Sequence, residues 1–498
     1  MKFFSANIHY LVCILLVSMY TDKIYSQEQS TLRFIDSLIQ HKQKTFEVPG
    51  IAIGIVKDGK TFFQKAYGVQ SLHTEIPLTN QSVFHMASVS KPITATAIMK
   101  LVEEGKLKLS NKLVEYLPNF VMNSPAYKDI TLQQILTHTS GIPDVNDYEW
   151  EKPQYDDKAS LRYVNSFKNQ KLDFLPGSSH KYSNAAYNLL AAVIQKVTEI
   201  PFETYMKQEF FSKVGMKNST FLKEEVTKEL ATSPHVENCS FTVDKANVYP
   251  YNRVHAPSST LHANTDDMLL WAQLYLNKGE WSEKEIFSKE TYTKLTDTQI
   301  PFKNGKGMCL GWFTAKIGEK QLFRHSGGDE GYSTFLGFIP EVDFAIVIMA
   351  NSDTIITEYI ATVIMSKLYN NKILNYKTPI SFALRKLILE KDINAFKKEY
   401  FRLEKEDPNS YAFGKGYLDG LGYDLLEKHY YEKAIAIFKF HLEIQPEVPG
   451  FYDSVGDGYL AWNKPEEALV WYKRANKKDP DKEMSLEKIK KLSFELQK

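Results

Sequence analysis

Strand-like runs at the two ends of one long segment, with helix-patterned sequence between them, constrain this chain more than any other feature. Ile51-Ala-Ile-Gly-Ile-Val56 and Lys60-Thr-Phe-Phe-Gln-Lys-Ala-Tyr67 flank Asp58-Gly59, a dipeptide suited to the tight turn of a β-hairpin. Far downstream, Gln321-Leu-Phe323, Tyr332-Ser-Thr-Phe-Leu-Gly-Phe-Ile339 and Phe344-Ala-Ile-Val-Ile-Met-Ala350 read as three more strands. All five fit one sheet made from both ends of a domain, with a helical middle inserted between them. Thr31 to Phe46 has a helical pattern, and Ile356 to Leu368 reads as a closing helix. With 43% apolar residues and 13% aromatics, the chain has ample material for a large core.

The helical middle contains Phe84-His-Met-Ala-Ser-Val-Ser-Lys-Pro-Ile-Thr-Ala-Thr-Ala-Ile-Met-Lys-Leu-Val102. From Ile93 onward it is apolar on nearly every face, the composition of a helix buried in a core. Pro92 is tolerated only in the first turn of such a helix, which places Ser88 to Lys91 at its start. There Ser88 meets unpaired amides and the positive end of the helix dipole. Lys91, three residues on, returns to the same face and reaches the Ser88 hydroxyl. A lysine in that dry corner has a lowered pKa and can take a proton near neutrality. Taken alone, Ser-x-x-Lys is weak: it recurs as Ser178 to Lys181 and Ser485 to Lys488, and a capping serine followed by a solvated lysine explains most such matches.

Two further passages give Ser88 its context. Phe174-Leu-Pro-Gly177 and a polar loop precede Tyr182-Ser-Asn184, which enters an apolar helix, so Tyr182 and Asn184 can face a cleft. His325-Ser-Gly327-Gly328 follows a short strand, and paired glycines there let backbone approach a ligand closely. A core tyrosine, a turn asparagine and a hairpin glycine pair would each be ordinary. Their conjunction in this order is not.

In these three motifs the chain resembles the serine β-lactamase and penicillin-recognising family, in its class C β-lactamase, D,D-peptidase and esterase branch. The stretch Ile130-Thr-Leu-Gln-Gln-Ile-Leu-Thr-His-Thr-Ser-Gly-Ile-Pro143, the Phe-x-Pro-Gly turn and Gly311-Trp312 add to the likeness, which runs from about Thr31 to about Leu368. The resemblance implies an α+β fold, a β-lactamase/transpeptidase-like five-stranded antiparallel sheet with flanking helices and an all-helical region. It also implies that Ser88 is the acylated nucleophile, Lys91 its base or proton relay, and Tyr182 the phenol or phenolate that passes the proton to the leaving group. Asn184 would orient Lys91 and the substrate amide, and the amides of Ser88 and Gly328, beside Gly327, would form the oxyanion hole. His325 stands where β-lactamases of the branch usually have lysine. An unperturbed histidine titrates near pH 6.5, so this position lacks a fixed charge for a substrate carboxylate. That departure favours an ester- or peptide-cleaving enzyme over a dedicated β-lactamase. A second departure, Ala256-Pro-Ser-Ser-Thr-Leu261 in place of a Gly-Gly turn, alters one pocket wall.

The amino terminus has Lys2, an apolar run from about Ile8 to Tyr20, and Ser26 before a polar stretch, the pattern of a signal peptide over residues 1–26. An uncleaved amino-terminal anchor is the alternative; otherwise the protein is exported, periplasmic or secreted, with no membrane span after cleavage. Removing residues through Ser26 takes the 61 basic and 60 acidic residues to 59 of each, a balance that recruits neither nucleic acid nor an anionic surface. Cys239 and Cys309 then remain, able to pair in an oxidising compartment, though Cys309 reads better as a small core residue. No metal motif is present, and the expectation is an enzyme without cofactor.

The hydrolase domain is expected over 27–376, a linker over 377–385, and a helical repeat region over 386–498. In the last, Leu421-Gly422, Ala434, Phe438 and Pro446 recur 34 residues later as Val455-Gly456, Ala468, Tyr472 and Pro480. This resembles the tetratricopeptide repeat, where small residues let two helices cross closely. Ala395 and Pro408 fit a degenerate preceding unit. Two function classes follow: a serine hydrolase acting on a small ester, peptide or β-lactam, and a non-catalytic protein that uses the cleft or the repeats to bind a ligand or protein partner.

Overall fold

A computed structural model describes residues 26–354, 356–370, 377–414, 416–480 and 483–496. The expected signal peptide, apart from Ser26, lies outside the described residues. Two compact units emerge: one holds the described residues up to Val236 and those from Val243 to 370, the other Glu237–Thr242 and those from 377 onward.

The first unit is built on a mixed-origin antiparallel sheet. Its strands in chain order are β1 (Gly50–Lys57), β2 (Lys60–Gly68), β3 (Ile300–Pro301), β4 (Gly307–Met308), β5 (Phe313–Ile317), β6 (Lys320–Asp329), β7 (Tyr332–Ile339) and β8 (Phe344–Ala350). The spatial order is β2-β1-β8-β7-β6-β5-β4-β3. Thus β1 of the front hairpin pairs with β8 from the far end, Ile51 opposite Ala350 through Lys57 opposite Phe344. The five strands read from the sequence are the contiguous group β2-β1-β8-β7-β6. Three more extend the sheet beyond the expected five. Two of these have only two residues, too few to display a period of two.

Both faces of the central strands are covered, which is why β1 and β8 read as nearly continuous apolar runs rather than alternating ones and why every residue of β7 is buried. The helices of this unit include α1 (Ser90–Glu103), α2 (Asn184–Thr198), α3 (Thr265–Leu276) and α4 (Thr357–Tyr369). On one face α3 presses Leu269 against Gly54, where an added Cβ would sit 2.8 Å from that side chain. On the other face Thr357 of α4 meets Ser333 of β7 at 2.9 Å. Pairing of β5 with β6 runs from Ile317 opposite Lys320 only to Phe313 opposite Arg324. His325 to Asp329 of β6 therefore run past the end of β5, and this stretch carries one wall of the cleft.

The second unit has its own core of Ile380, Leu384, Phe396, Tyr400, Leu421 and Phe438. Residues 377–385, expected to be a linker, are ordered here. Thr378–Pro379 pairs in parallel with Tyr411–Ala412, and Pro379 opens the helix Ile380–Glu390. The reason is amphipathic: Ile380, Leu384 and Ile388 fall on one buried face, and the fixed φ of proline suits a helix entrance. Phe241 is fully buried in this core, and Glu237 accepts from Arg385 at 2.8 Å, so the short segment Glu237–Thr242 belongs to the second unit. Cys239 and Cys309 are both free, the first exposed and the second buried, so the pair open to disulfide formation is not bonded.

Tyr417–Glu427 packs on Tyr431–Ile444, and Pro449–Ala461 on Pro465–Lys478. The 34-residue pattern is a steric one. A Cβ at Gly422 would meet the Phe438 ring at 2.2 Å, and one at Gly456 the Tyr472 ring at 2.5 Å. Gly420, two residues earlier in the same helix, has open space at its Cβ position. Gly422→Ala should therefore lower the stability of this unit by about 1–3 kcal/mol through overpacking. Gly420→Ala should raise it by about 0.4–1 kcal/mol through reduced unfolded-chain entropy. Thermal unfolding of the two variants beside the parent checks the opposite signs.

Candidate active site

Ser88 lies in a single 3-10 turn, Ala87–Val89, that leads directly into α1. Ala87 has φ of +47°, a left-handed conformation costly for a residue with a Cβ, and it is over-determined by its surroundings. The Met86 amide donates to the Leu261 carbonyl at 2.7 Å, and the Leu261 amide donates to Ser90 Oγ at 3.0 Å. The Thr334 hydroxyl of β7 donates to the Met86 carbonyl at 2.7 Å. Gly327, opposite Thr334 in β6, has no room for a side chain: its Cβ would lie 2.4 Å from the Met86 oxygen. The turn is thus clamped onto the sheet while Ser88 itself remains half-buried at the cleft.

Lys91 is fully buried, and its Nζ lies 3.0 Å from Ser88 Oγ, 2.5 Å from Asn184 Oδ1 and 2.8 Å from the Ser258 carbonyl oxygen. Two of these partners are acceptors only, so they take two N–H groups. The third is a hydroxyl that can itself donate. An ammonium donates to all three, whereas a neutral amine donates to the two pure acceptors and keeps its lone pair for the Ser88 proton. Burial pulls the Lys91 pKa down to about 7, against the opposing pull of Asp329 and Asp144. Deprotonated Lys91 is thus available near neutrality.

Tyr182 is placed by the loop before α2. The Lys181 amide donates to the His138 carbonyl at 2.9 Å, the Ser183 amide donates to His138 Nδ1 at 3.1 Å, and the Tyr182 ring lies 4.2 Å from the His138 ring. The residue is half-buried, and burial of its hydroxyl raises its pKa well above 10, the Ser88 hydroxyl acting in the opposite sense. Of the phenol and phenolate forms the sequence left open, burial favours the phenol. Lys91 Nζ sits 4.8 Å from the Tyr182 ring centre.

Asn184 opens α2. Its Oδ1 accepts from Lys91, and its Nδ2 donates to Asp144 Oδ2 at 3.1 Å and to Tyr148 Oη at 2.8 Å, which fixes the orientation of the amide. Asp144 also accepts from the Asn184 backbone amide at 2.6 Å, placing a carboxylate at the positive end of α2. Sequence reading missed Asp144 and Tyr148, although Asp144 directly follows the Thr-Ser-Gly-Ile-Pro143 stretch. It also missed Asp329, one residue after Gly328, whose carboxylate holds His85 Nε2 at 2.8 Å and the Ser259 hydroxyl. The Ala256 to Leu261 turn contributes the Ser258 carbonyl to Lys91 and the Pro257 carbonyl to Thr94 at 2.8 Å, so it is part of the site rather than only a wall.

His325 differs from expectation. It is 2% exposed, its Nδ1 donates to the Ser326 carbonyl at 2.7 Å, and its ring lies 6.3 Å from Tyr182 and 5.4 Å from Phe313. Burial, with Lys91 nearby, drives its pKa to about 3. It does not titrate near pH 6.5. Of the two glycines, Gly327 serves the close approach to Met86, while Gly328 is exposed with open space beside it. Among the described residues no cluster of three metal-ligating side chains occurs.

A role for neutral Lys91 as a base predicts turnover that rises with pH through about 7. Asp144 and Asp329 hold that pKa up. Asp144→Asn should therefore move the rising limb to lower pH, while reducing the maximal rate by loosening Asn184. A pH profile of kcat/KM for parent and variant measures both effects.

The family model described as Beta-lactamase matches residues 35–362. Protein flp of Staphylococcus aureus strain MW2 is 29% identical over 346 residues, 69% of this chain and 66% of its own length, so the match spans just under two thirds of that relative. D-alanyl-D-alanine-carboxypeptidase/endopeptidase AmpH of Escherichia coli K12 is 24% identical over 354 residues, 68% of this chain and 88% of its own. Among solved structures, the octameric penicillin-binding protein homologue from Pyrococcus abyssi superposes with a TM-score of 0.63 at 26% identity, covering 72% of this chain and 82% of that one. The matched region contains both the clamped Ser88 turn and the sheet that clamps it, and the chain belongs to the beta-lactamase family.

Proposed function

We propose that this protein is a serine hydrolase that cleaves an ester or peptide/amide bond through an acyl-enzyme on Ser88. The observation that carries the reading is the set of contacts around Lys91, which hold its amine 3.0 Å from the Ser88 hydroxyl. Lys91 takes the Ser88 proton as Oγ attacks the substrate carbonyl carbon. The tetrahedral oxyanion is received by the amides of Ser88 and Gly328. The proton passes through the neutral Tyr182 hydroxyl to the leaving group, and the carbon–leaving-group bond breaks. Water then attacks the acyl-Ser88 carbonyl, giving its proton back along the same path and releasing the acid and free Ser88.

With His325 neutral, this position supplies no fixed positive charge to a substrate carboxylate, which supports esterase or D-amino-acid peptidase chemistry over a dedicated β-lactamase. AmpH is named a carboxypeptidase/endopeptidase, and its likeness to this chain brings peptide substrates within the same proposal. We further propose export by the amino-terminal signal, and assign the 34-residue helix pairs to tetratricopeptide-like repeats able to hold a protein partner. No helix among the described residues is long and apolar enough to cross a membrane.

A fluorophosphonate or fluorescent penicillin should label the parent protein and not Ser88→Ala; absence of label with several reactive classes on folded protein refutes the proposal and favours the binding-protein reading. Tyr182→Phe keeps the ring on His138 but removes the proton path, so turnover should fall by roughly two to four orders of magnitude with thermal stability retained. Since His325 stays neutral from pH 5 to 8, pH profiles for carboxylate-bearing and neutral substrates should coincide in that range. A loss of affinity confined to carboxylate substrates as pH rises would overturn that assignment.

A further inference from the structure

His325 has one ring nitrogen committed and the other free. Nδ1 faces the Ser326 carbonyl, an acceptor, so Nδ1 carries the proton. Nε2 is then a bare acceptor, buried and without a hydrogen-bond partner, on a residue that lies beside Phe313 and Tyr182. A buried unsatisfied acceptor is costly and is relieved by a donor. A substrate carboxylate would set acceptor against acceptor. An ammonium, amide N–H or hydroxyl would complete it.

Beside the same site lies a surface cavity of about 480 Å³ lined by Asp147, Tyr148, Glu149, Trp150, Glu151 and Glu330, among others. Tyr148 joins it to the catalytic groups, since its hydroxyl accepts from Asn184, and Glu330 directly follows Asp329. Four of the lining groups are carboxylates, and Lys152 is the one basic side chain among the lining residues. Burial, with Glu151 close by, raises the Glu330 pKa, the behaviour of a carboxyl short of compensating charge. Tyr148 and Trp150, which stack at 4.9 Å, line the same cavity, and aromatic rings are favourable neighbours for a cation. Arg324, the nearest fixed cation in sequence to His325, is paired with Glu358 of α4. Asp144 and Asp329 add negative charge at Lys91 itself.

We infer that this cleft selects substrates carrying a cationic ammonium, and no free carboxylate, next to the scissile bond, with His325 Nε2 accepting from the substrate and the acidic cavity holding the positive charge. This inference rests on the hydrolase reading and narrows its substrate class. The specificity-determining residues are His325, Glu149 and Glu330.

The test uses three p-nitroanilides of D-alanine that differ in one group: the free amine, the N-acetyl and the N-succinyl compounds. The expected order of kcat/KM is cationic, then neutral, then anionic, with the ends separated by roughly tenfold or more, and with the separation shrinking in about 0.5 M salt as the rim carboxylates are screened. Glu149→Gln with Glu330→Gln should reduce the cationic-to-neutral ratio about threefold or more, and His325→Lys should move preference toward the N-succinyl compound. Calorimetric binding of the same three compounds to Ser88→Ala should give the same order. Turnover without this order, or with the anionic compound preferred, overturns the inference and leaves the hydrolase reading intact. Ordered binding without turnover of any compound supports the cation preference and counts against hydrolysis at Ser88.

Discussion

The amine of Lys91 sits in the protein interior with no access to water, and much of the cleft is arranged around the cost of keeping it there. Lowering its pKa from 10.5 to about 7 corresponds to a bias on the order of 5 kcal/mol against the charged form. The compensation is specific: Asn184 Oδ1 and the Ser258 carbonyl take two donors, Ser88 takes the remaining site, and the carboxylates of Asp144 and Asp329 moderate the shift. Each partner comes from a different part of the chain. Asn184 begins α2, Ser258 lies in the turn that ties to Ser90, and Asp329 ends β6. An amine that loses its proton near neutral pH is therefore a property of the assembled fold, not of the Ser-x-x-Lys motif.

The same dependence explains why the turn that carries Ser88 tolerates strain. Ala87 is left-handed, and local sequence offers it no relief. The turn is held by Leu261, Thr334 and the absent side chain of Gly327, three contacts separated widely in sequence. Closing the sheet with strands from both ends of the unit brings β6 and β7 against the start of α1. Topology and chemistry are coupled here: the pairing of β1 with β8 completes the platform on which Ser88 rests.

Charge follows a parallel logic. A histidine at the strand end would be expected to titrate near neutrality, but at His325 the surrounding apolar rings and the neighbouring Lys91 leave only the neutral form. Its hydrogen bond to Ser326 then fixes which nitrogen is free. The position becomes a directional acceptor instead of a charge. Together with the carboxylates around the adjoining cavity, this gives the cleft an electrostatic character opposite to that of a carboxylate-binding site.

Much of this was legible from residues alone. The Asp58-Gly59 hairpin, the apolar strands and the apolar helix after Pro92 have local physical causes, so periodicity and turn chemistry exposed the central five strands and the start of α1. Ser88, Lys91, Tyr182 and Asn184 were visible because three motifs occur in one order. The 34-residue spacing marked Gly422 and Gly456 because close helix crossing forbids a Cβ there. The short strands Ile300–Pro301 and Gly307–Met308 left no signal, having too few residues for a period, and 377–385 looked like a linker because a proline opens helices as well as breaking them. Asp144, Tyr148 and Asp329 were not legible, since their importance lies in contacts with residues far away in the chain. Sequence determined which reactive groups the protein carries, because residue type and local spacing are written in it. Tertiary structure alone decided their protonation states, because burial and the distance to other charges exist only once the chain has folded.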